Sequence, residues 1–432
     1  MTSFPNRILI LGCGSVAQAV IPLLVKDLMI EPSQIVVIDT LDNRDRLFGM
    51  DVTYVQRHIR PDNYDTILSG WVKSGDILLD LAWDIDTLTL LDWCRNHGVR
   101  YLNTSVEVWN PYNKDTPFLQ RTLYTRHMAI RKMIANWGDN KGPTAVLEHG
   151  ANPGLVSHWV KQSLREIAYK MMLDGIGDIP KLSTALGDND FPMLGFLTGT
   201  KVIHIAERDT QITNIPRRPG EIVNTWSVSG LFEEGIAPTE IGWGTHETGS
   251  GGWKFDEGPQ NQIILPRCGI DTWVRSWVPS GPIHGMVIRH GEAFTMSEHL
   301  TLKDPLTGLP IYRPTVHYAY QPCDSAVASI LELQASGYEM GFDERILNQE
   351  ITAGQDELGV LLMGHPYGAW WTGSVMSIEE ARAINPHQSA TTMQVAASVV
   401  AATRWMMMEP EQGVKVPDDL PFNKILDRKS VV

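Results

Sequence analysis

Cysteine is scarce in this chain of 432 residues: Cys13, Cys94, Cys268 and Cys323 are scattered along it with no paired spacing. That excludes a disulfide framework, and no grouping reads as a set of metal ligands, so no metal is expected. Positive charge is also short, with 36 Lys and Arg against 50 Asp and Glu and a formal net charge of −14. A surface of that sign repels phosphate, so nucleic acid is not an expected partner, whereas a cationic small molecule is compatible. Long apolar runs are missing too. None approaches the ~20 residues needed to span a bilayer, so no membrane association is expected. The strand-like run Arg7–Leu11 starts so early that no signal peptide is expected either. With no low-complexity tract and no internal repeat, the expectation is a cytoplasmic globular protein long enough for two domains.

The first 150 residues alternate β-like runs (Ile8–Gly12, Ile35–Asp39, Asp76–Ala82, Tyr101–Thr104, Ala145–His149) with helical patterns (Val16–Leu28, Ile85–His97, Phe118–Trp137). Such alternation predicts parallel strands joined by helical crossovers, a Rossmann-type doubly wound sheet of the α/β class. Past Gly150 the texture changes. Strand-like runs at Val202–Ala206, Ile222–Val228, Ile263–Leu265, Met286–Arg289 and Thr315–Ala319 are separated by Gly- and Pro-containing turns, with Gly249–Gly252 as a loop. These predict an α+β domain with a mixed or antiparallel sheet. The Ala- and Val-rich segment Thr391–Met408 predicts a buried helix that packs back on the first domain. The second domain then reads as an insertion: residues 1–150 plus about 366–432 form the nucleotide domain, and about 151–365 form the substrate-binding and dimerisation domain.

Gly12-Cys-Gly-Ser-Val-Ala17 follows the first strand and opens the first helix. Gly12 permits the tight turn, Gly14 lets a pyrophosphate approach, and Ala17 keeps helix and sheet close. Ser15 and Val16 begin a helix whose N–H groups face the phosphates. Asp39 ends the second strand, where its carboxylate would accept hydrogen bonds from a ribose 2′-hydroxyl and repel a 2′-phosphate. The expected cofactor is therefore NAD.

Three further segments, Asn103–Trp109 (NTSVEVW), Glu148–His158 (EHGANPGLVSH) and Ala353–Gly359 (AGQDELG), resemble those of bacterial homospermidine synthases, within the wider saccharopine dehydrogenase-like group. The resemblance runs through nearly the whole chain. It implies an enzyme that joins two putrescines into homospermidine and releases ammonia. Oxidation to an imine is followed by Schiff-base formation and reduction by the same NADH, so that NAD stays tightly bound and is not consumed. It also implies a homodimer.

A free diamine is a dication at neutral pH, since alkylammonium groups titrate near ~10.4, so its site needs carboxylates or aromatic faces. By the resemblance, Trp226 holds a cationic nitrogen over its indole, and Glu207, Glu234, Glu292 and Asp356 line the diamine site. Glu233 and Glu357 are alternatives to Glu234 and Asp356. Asn152 reads as a helix N-cap before Pro153, and the resemblance adds that its amide faces the substrate. Glu107 is expected near the reacting nitrogen, Asn103 and Thr104 at the cofactor, and His290 and His158 as proton relays. Arg208, Arg289 and Arg313 support one competing reading, a saccharopine- or carboxynorspermidine-type oxidoreductase acting on carboxylates. A non-catalytic NAD- or polyamine-binding regulator is the other.

Overall fold

The run Ile8–Leu11 is apolar at every position and fully buried, as a central parallel strand covered on both faces must be. In the computed structural model, which describes residues 4–427 apart from Phe48, Tyr112, Lys114, Ser250 and Phe342, it is an interior strand of a seven-stranded sheet. The order is Val414–Lys415, Ala145–Val146, Arg100–Asn103, Ile77–Asp80, Ile8–Leu11, Ile35–Asp39 and Thr53–Gln56, and every pair is parallel. Helices Ser15–Asp27, Tyr64–Trp71, Thr87–His97 and Leu123–Asn136 supply crossovers. Local chemistry sets their ends. Asp86 accepts from Thr89 N–H at 2.8 Å to start the helix Thr87–His97, and Gly98 (φ 69°) stops it. The expected helix Phe118–Trp137 is broken at Thr122, which caps Leu123–Asn136 and leaves Phe118–Arg121 as a 3₁₀ turn. The strand Thr53–Gln56, unforeseen from sequence, is a short half-exposed edge.

The second sheet has eight strands and is mixed. Val202–Asp209 runs parallel to Thr315–Gln321 and antiparallel to Gln355–Met363, and the other pairings are antiparallel. Two expected strands are shorter than predicted. Ile222–Val228 ends at Asn224, because Ser227 accepts from Gly230 N–H at 3.0 Å and starts the helix Val228–Ile236. Met286–Arg289 contributes only Met286, the last residue of the strand Gly281–Met286. The expected boundary near residue 365 falls inside a hairpin, since Ala369–Ser377 pairs along its whole length with Gln355–Met363. The chain leaves that hairpin only after Ser377. Helix Ala390–Met408, capped by Ser389, then packs along helix Ser15–Asp27, and Val414–Lys415 joins the edge of the parallel sheet. Ser250 of the expected loop and residues 428–432 of the expected first domain lie outside the described residues. Among the described residues no helix is long and apolar enough to cross a membrane.

Candidate active site

A cavity of about 480 Å³ opens at the C-terminal ends of the parallel strands and is closed on its far side by the second sheet. This is where a doubly wound sheet binds ligands. Gly12 sits at φ +84°, and a Cβ there would meet Leu81 O at 2.9 Å, so only glycine fits the turn. At Gly14 a Cβ would find no atom within 4 Å, which leaves an open cradle. No side chain caps the N-terminus of helix Ser15–Asp27 at Gly14, so a pyrophosphate there would meet helix N–H groups. Ser15 and Val16 line the cavity, as does Asp39, whose carboxylate accepts from Cys13 N–H at 2.5 Å and Leu41 N–H at 2.7 Å. An acid held at that point matches a ribose 2′-hydroxyl, and the residues present fit NAD.

The far wall is built from the second domain. Strand alternation puts Glu207 and Asp209 on one face of Val202–Asp209, with Tyr318 and Tyr320 on the neighbouring strand. Glu207 Oε2 accepts from Asn152 Nδ2 at 2.6 Å and from the Tyr318 hydroxyl. Trp226 lines the cavity beside them, its Nε1–H donating to the Tyr320 hydroxyl at 2.9 Å. His290 packs its ring on Tyr318 with centroids 4.2 Å apart, and Glu234 Oε2 lies 3.9 Å from His290 Nε2. Glu107 follows the strand Arg100–Asn103. Its Oε1 accepts from Ser105 Oγ at 2.6 Å, and its Oε2 faces Arg126 at 3.9 Å.

Burial in this wall disfavours charge. It pushes Glu107, Glu207 and Glu234 up to about 7, against the opposing pull of Arg126 on Glu107, of the Tyr318 and Asn152 hydrogen bonds on Glu207, and of His290 on Glu234. His290 moves up although burial opposes it, because Glu292, Glu234 and Glu148 surround it. Three carboxyls poised near neutrality form a site that gains charge when a cation enters.

Not every expected site residue faces the cavity. Asn103 is buried in the sheet, donating to Thr87 Oγ1 and Tyr101 and accepting from Glu148 N–H at 2.7 Å; Thr104, the next residue, lines the cavity instead. Ala17 packs between helix and sheet. Asp356 lies behind Glu207, register-paired with Asp209, and accepts from Gln394 Nε2 at 3.1 Å. Burial and the Glu207 and Asp209 carboxyls hold it well above the usual range. Glu292 supports His290 from outside the cavity: Oε2 lies 3.3 Å from His290 Nδ1, and Oε1 accepts from Gly154 N–H at 2.9 Å. His158 contacts His149 at 3.0 Å, away from the cavity. Asn152 is not the helix N-cap, since Gly154 occupies that position. Glu234 sits in the helix Val228–Ile236 rather than a loop.

The alternatives also separate. Glu233 is bound by Arg126 and by Arg289, the latter at 2.6 Å, and held down to about 2 despite its burial by these two guanidinium groups. Glu357 accepts from Ser280 N–H at 3.0 Å and does not border the cavity. Arg208 donates to Ser280, Arg289 to Glu233 and Arg313 to Trp243 O, so none is placed for a substrate carboxylate. Sequence reasoning missed Tyr318, whose only signal was alternation within Thr315–Gln321, and Thr391 and Val395, which reach the cavity from the late helix.

Two family models match the chain: the saccharopine dehydrogenase NADP binding domain over residues 8–146, and the saccharopine dehydrogenase C-terminal domain over residues 150–429. Homospermidine synthase of Blastochloris viridis is 37% identical, with 99% of this chain and 91% of that protein covered. The homospermidine synthase of Mesorhizobium japonicum is 35% identical, with 98% and 88% covered. The crystal structure of homospermidine synthase from Legionella pneumophila in complex with NAD superposes with a TM-score of 0.87 at 38% identity, covering 99% of this chain and 89% of that one. By sequence over its whole length and by fold, the chain belongs to the homospermidine synthase family of saccharopine dehydrogenase-like proteins.

Proposed function

We propose that the protein joins two putrescines into homospermidine with release of ammonia, on an NAD that is held through the whole cycle. The observation that carries this is the acidic, aromatic lining, where Glu107 from the parallel-sheet side and Glu207, Glu234 and Trp226 from the far wall face the cavity. Among the described residues the one lining arginine, Arg57, stands at the nucleotide end with Asp39 and His58. When bound, NAD takes up and returns the hydride. The rest is the work of side chains. Trp226 holds the cationic nitrogen over its indole, a contact worth about 2 kcal/mol when desolvated. Glu207, aligned by Asn152 and Tyr318, and His290, beside Glu234, accept the protons that the amines must lose before each carbon–nitrogen bond changes. Burial, with Asp209 as a second cause, keeps the proton affinity of Glu207 high. The aromatic wall also excludes water from the imine.

The test is direct. Purified protein is incubated with putrescine and NAD, and the amines are separated chromatographically. A new triamine with ammonia is the expected result. Accumulating NADH would identify a net dehydrogenase, and binding without products a regulator. The four cysteines are unpaired, which supports a reducing compartment, the cytoplasm. Trp273 and Trp277, on one side of the strand Trp273–Val278, are 47% and 40% exposed and support a self-association face for a homodimer. Light scattering coupled to gel filtration checks it.

A further inference from the structure

Homospermidine formation is proton-neutral overall, but not step by step. The first ammonium must lose a proton before its carbon can be oxidised, and the second must lose one before it attacks the imine. Departing ammonia takes back one proton, and the reduced secondary amine takes the other. Two protons must therefore be stored while cofactor and amines fill the main cavity. His290, the wall residue that would receive one, is backed by residues the reaction scheme has not used.

Behind it lie two hydrogen-bonded pairs of buried acids and imidazoles, His290 with Glu292 and Glu148 with His127, brought together at Gly291. Glu292 faces His290 Nδ1 at 3.3 Å. Glu148 rests against Gly291, the residue between them, so closely that a methyl group on Gly291 would overlap its carboxylate. Glu148 Oε2 in turn lies 2.8 Å from His127 Nε2. His127, Glu148, His290 and Glu292 are 3%, 1%, 6% and 1% exposed. His127 borders a second cavity of about 320 Å³, between the helices Leu123–Asn136 and Glu292–His299 and the strand Val414–Lys415. Glu148 takes up a left-handed backbone, φ +53°, a conformation a buried glutamate adopts only when its surroundings fix it. His290 lines one cavity and His127 the other, with two carboxylates between.

We propose that Glu148 and His127 are positioning residues of the reaction: they hold the His290–Glu292 couple and give one stored proton up to the second cavity until the product amine needs it. The reading rests on the proposed role of His290. In the step, the amine N–H passes its proton to His290 Nε2, the charge is shared with Glu292 and Glu148, and His127 releases a proton on the far side. The proton returns by the same groups when the secondary amine forms, so atoms and charge balance over the cycle. The groups that face His290 are Glu292, Glu234, Glu207, Glu148 and Tyr318. Of the carboxylates among them, only Glu148 bonds to a residue lining the second cavity.

Two measurements test this. In NAD-loaded protein with labelled histidines, the signal missing from His290→Gln is assigned to His290. Its midpoint should fall by roughly one pH unit in Glu148→Gln and be restored in Glu148→Asp. An unmoved midpoint overturns the proposal, and because this readout needs no turnover it stands apart from failure of the synthase reading. In turnover, His127→Ala should lower kcat about tenfold with little change in putrescine KM, and imidazole added to the buffer should restore the rate through the second cavity. His127→Gln, which keeps the hydrogen bond but not the imidazole, should be equally slow and unrescued. Wild-type rates in both variants, or a loss that imidazole leaves untouched while melting temperature falls, overturns it.

Discussion

Replacing Glu207 by glutamine should make the ligand-free protein more stable, and only above a definite pH. Glu207 is 2% exposed, and burial raises its carboxyl from 4.5 to about 7 against the hydrogen bonds from Tyr318 and Asn152. A carboxyl whose folded value is raised contributes no penalty below about 4.5, where both states are protonated. As pH rises towards 7 the unfolded chain ionises freely and the folded one does not, so stability drains away across that window and the loss is complete above it. At 1.36 kcal/mol per unit, a shift of this size costs on the order of 3 kcal/mol. Glutamine keeps an acceptor for Tyr318 and does not titrate. Urea denaturation of wild type and Glu207→Gln at fixed pH values from 4 to 8 isolates the difference. The two should coincide near pH 4 and diverge in the variant's favour by about 3 kcal/mol at pH 8. Adding NAD and putrescine should close the gap, because an ammonium beside Glu207 restores its ionised form. A difference that stays flat with pH would show that Glu207 ionises freely in the folded protein and refute the reasoning.

Three more outcomes are expected. Asp39→Ala should lose most of its preference for NAD over NADP in cofactor titrations, because the carboxylate at the second strand's end would no longer meet a 2′-phosphate; surviving discrimination would remove Asp39 from that role. Trp226→Phe should keep part of the activity and Trp226→Ala should lose roughly thirtyfold or more in kcat/KM, with equal losses and a lower melting temperature pointing to packing instead. Putrescine deuterated at both terminal carbons should give homospermidine that retains all its deuterium even with excess unlabelled NADH present, and loss of one deuterium per turnover would show that the cofactor exchanges.

The nucleotide half was legible because its determinants are local. Gly12, Gly14 and Asp39 lie within one βαβ unit, and the turn, the cradle and the strand end follow from their spacing. Trp226, Glu207 and Glu234 were reachable by resemblance, and the fold brings them to one wall. What sequence could not supply was distance. Asn152 looked like a helix cap until Glu207, 55 residues on, claimed its amide. Glu292 and Asp356 belong beside the wall rather than in it, because the orientation of an acid near a turn depends on partners such as Gly154 and Gln394. The hairpin Gln355–Met363 with Ala369–Ser377 was missed because Trp and Gly interrupt any simple alternation in its second strand. Glu148 and His127 drew no catalytic reading, since an acid and an imidazole 21 residues apart meet only once the chain has folded.

The late return of the chain has a consequence for how the molecule is made. The face of helix Ser15–Asp27 that meets helix Ala390–Met408, and the open edge at Ala145–Val146, are covered only by residues synthesised some 270 to 380 positions later. During translation the nucleotide lobe must therefore wait, with an apolar surface and an unpaired strand edge exposed, while the whole second lobe emerges. Dividing the chain into two separately expressed lobes would leave the first permanently in that waiting state. The helix Ala390–Met408 and the strand Val414–Lys415 are thus among the last pieces synthesised of the core and sheet that they complete.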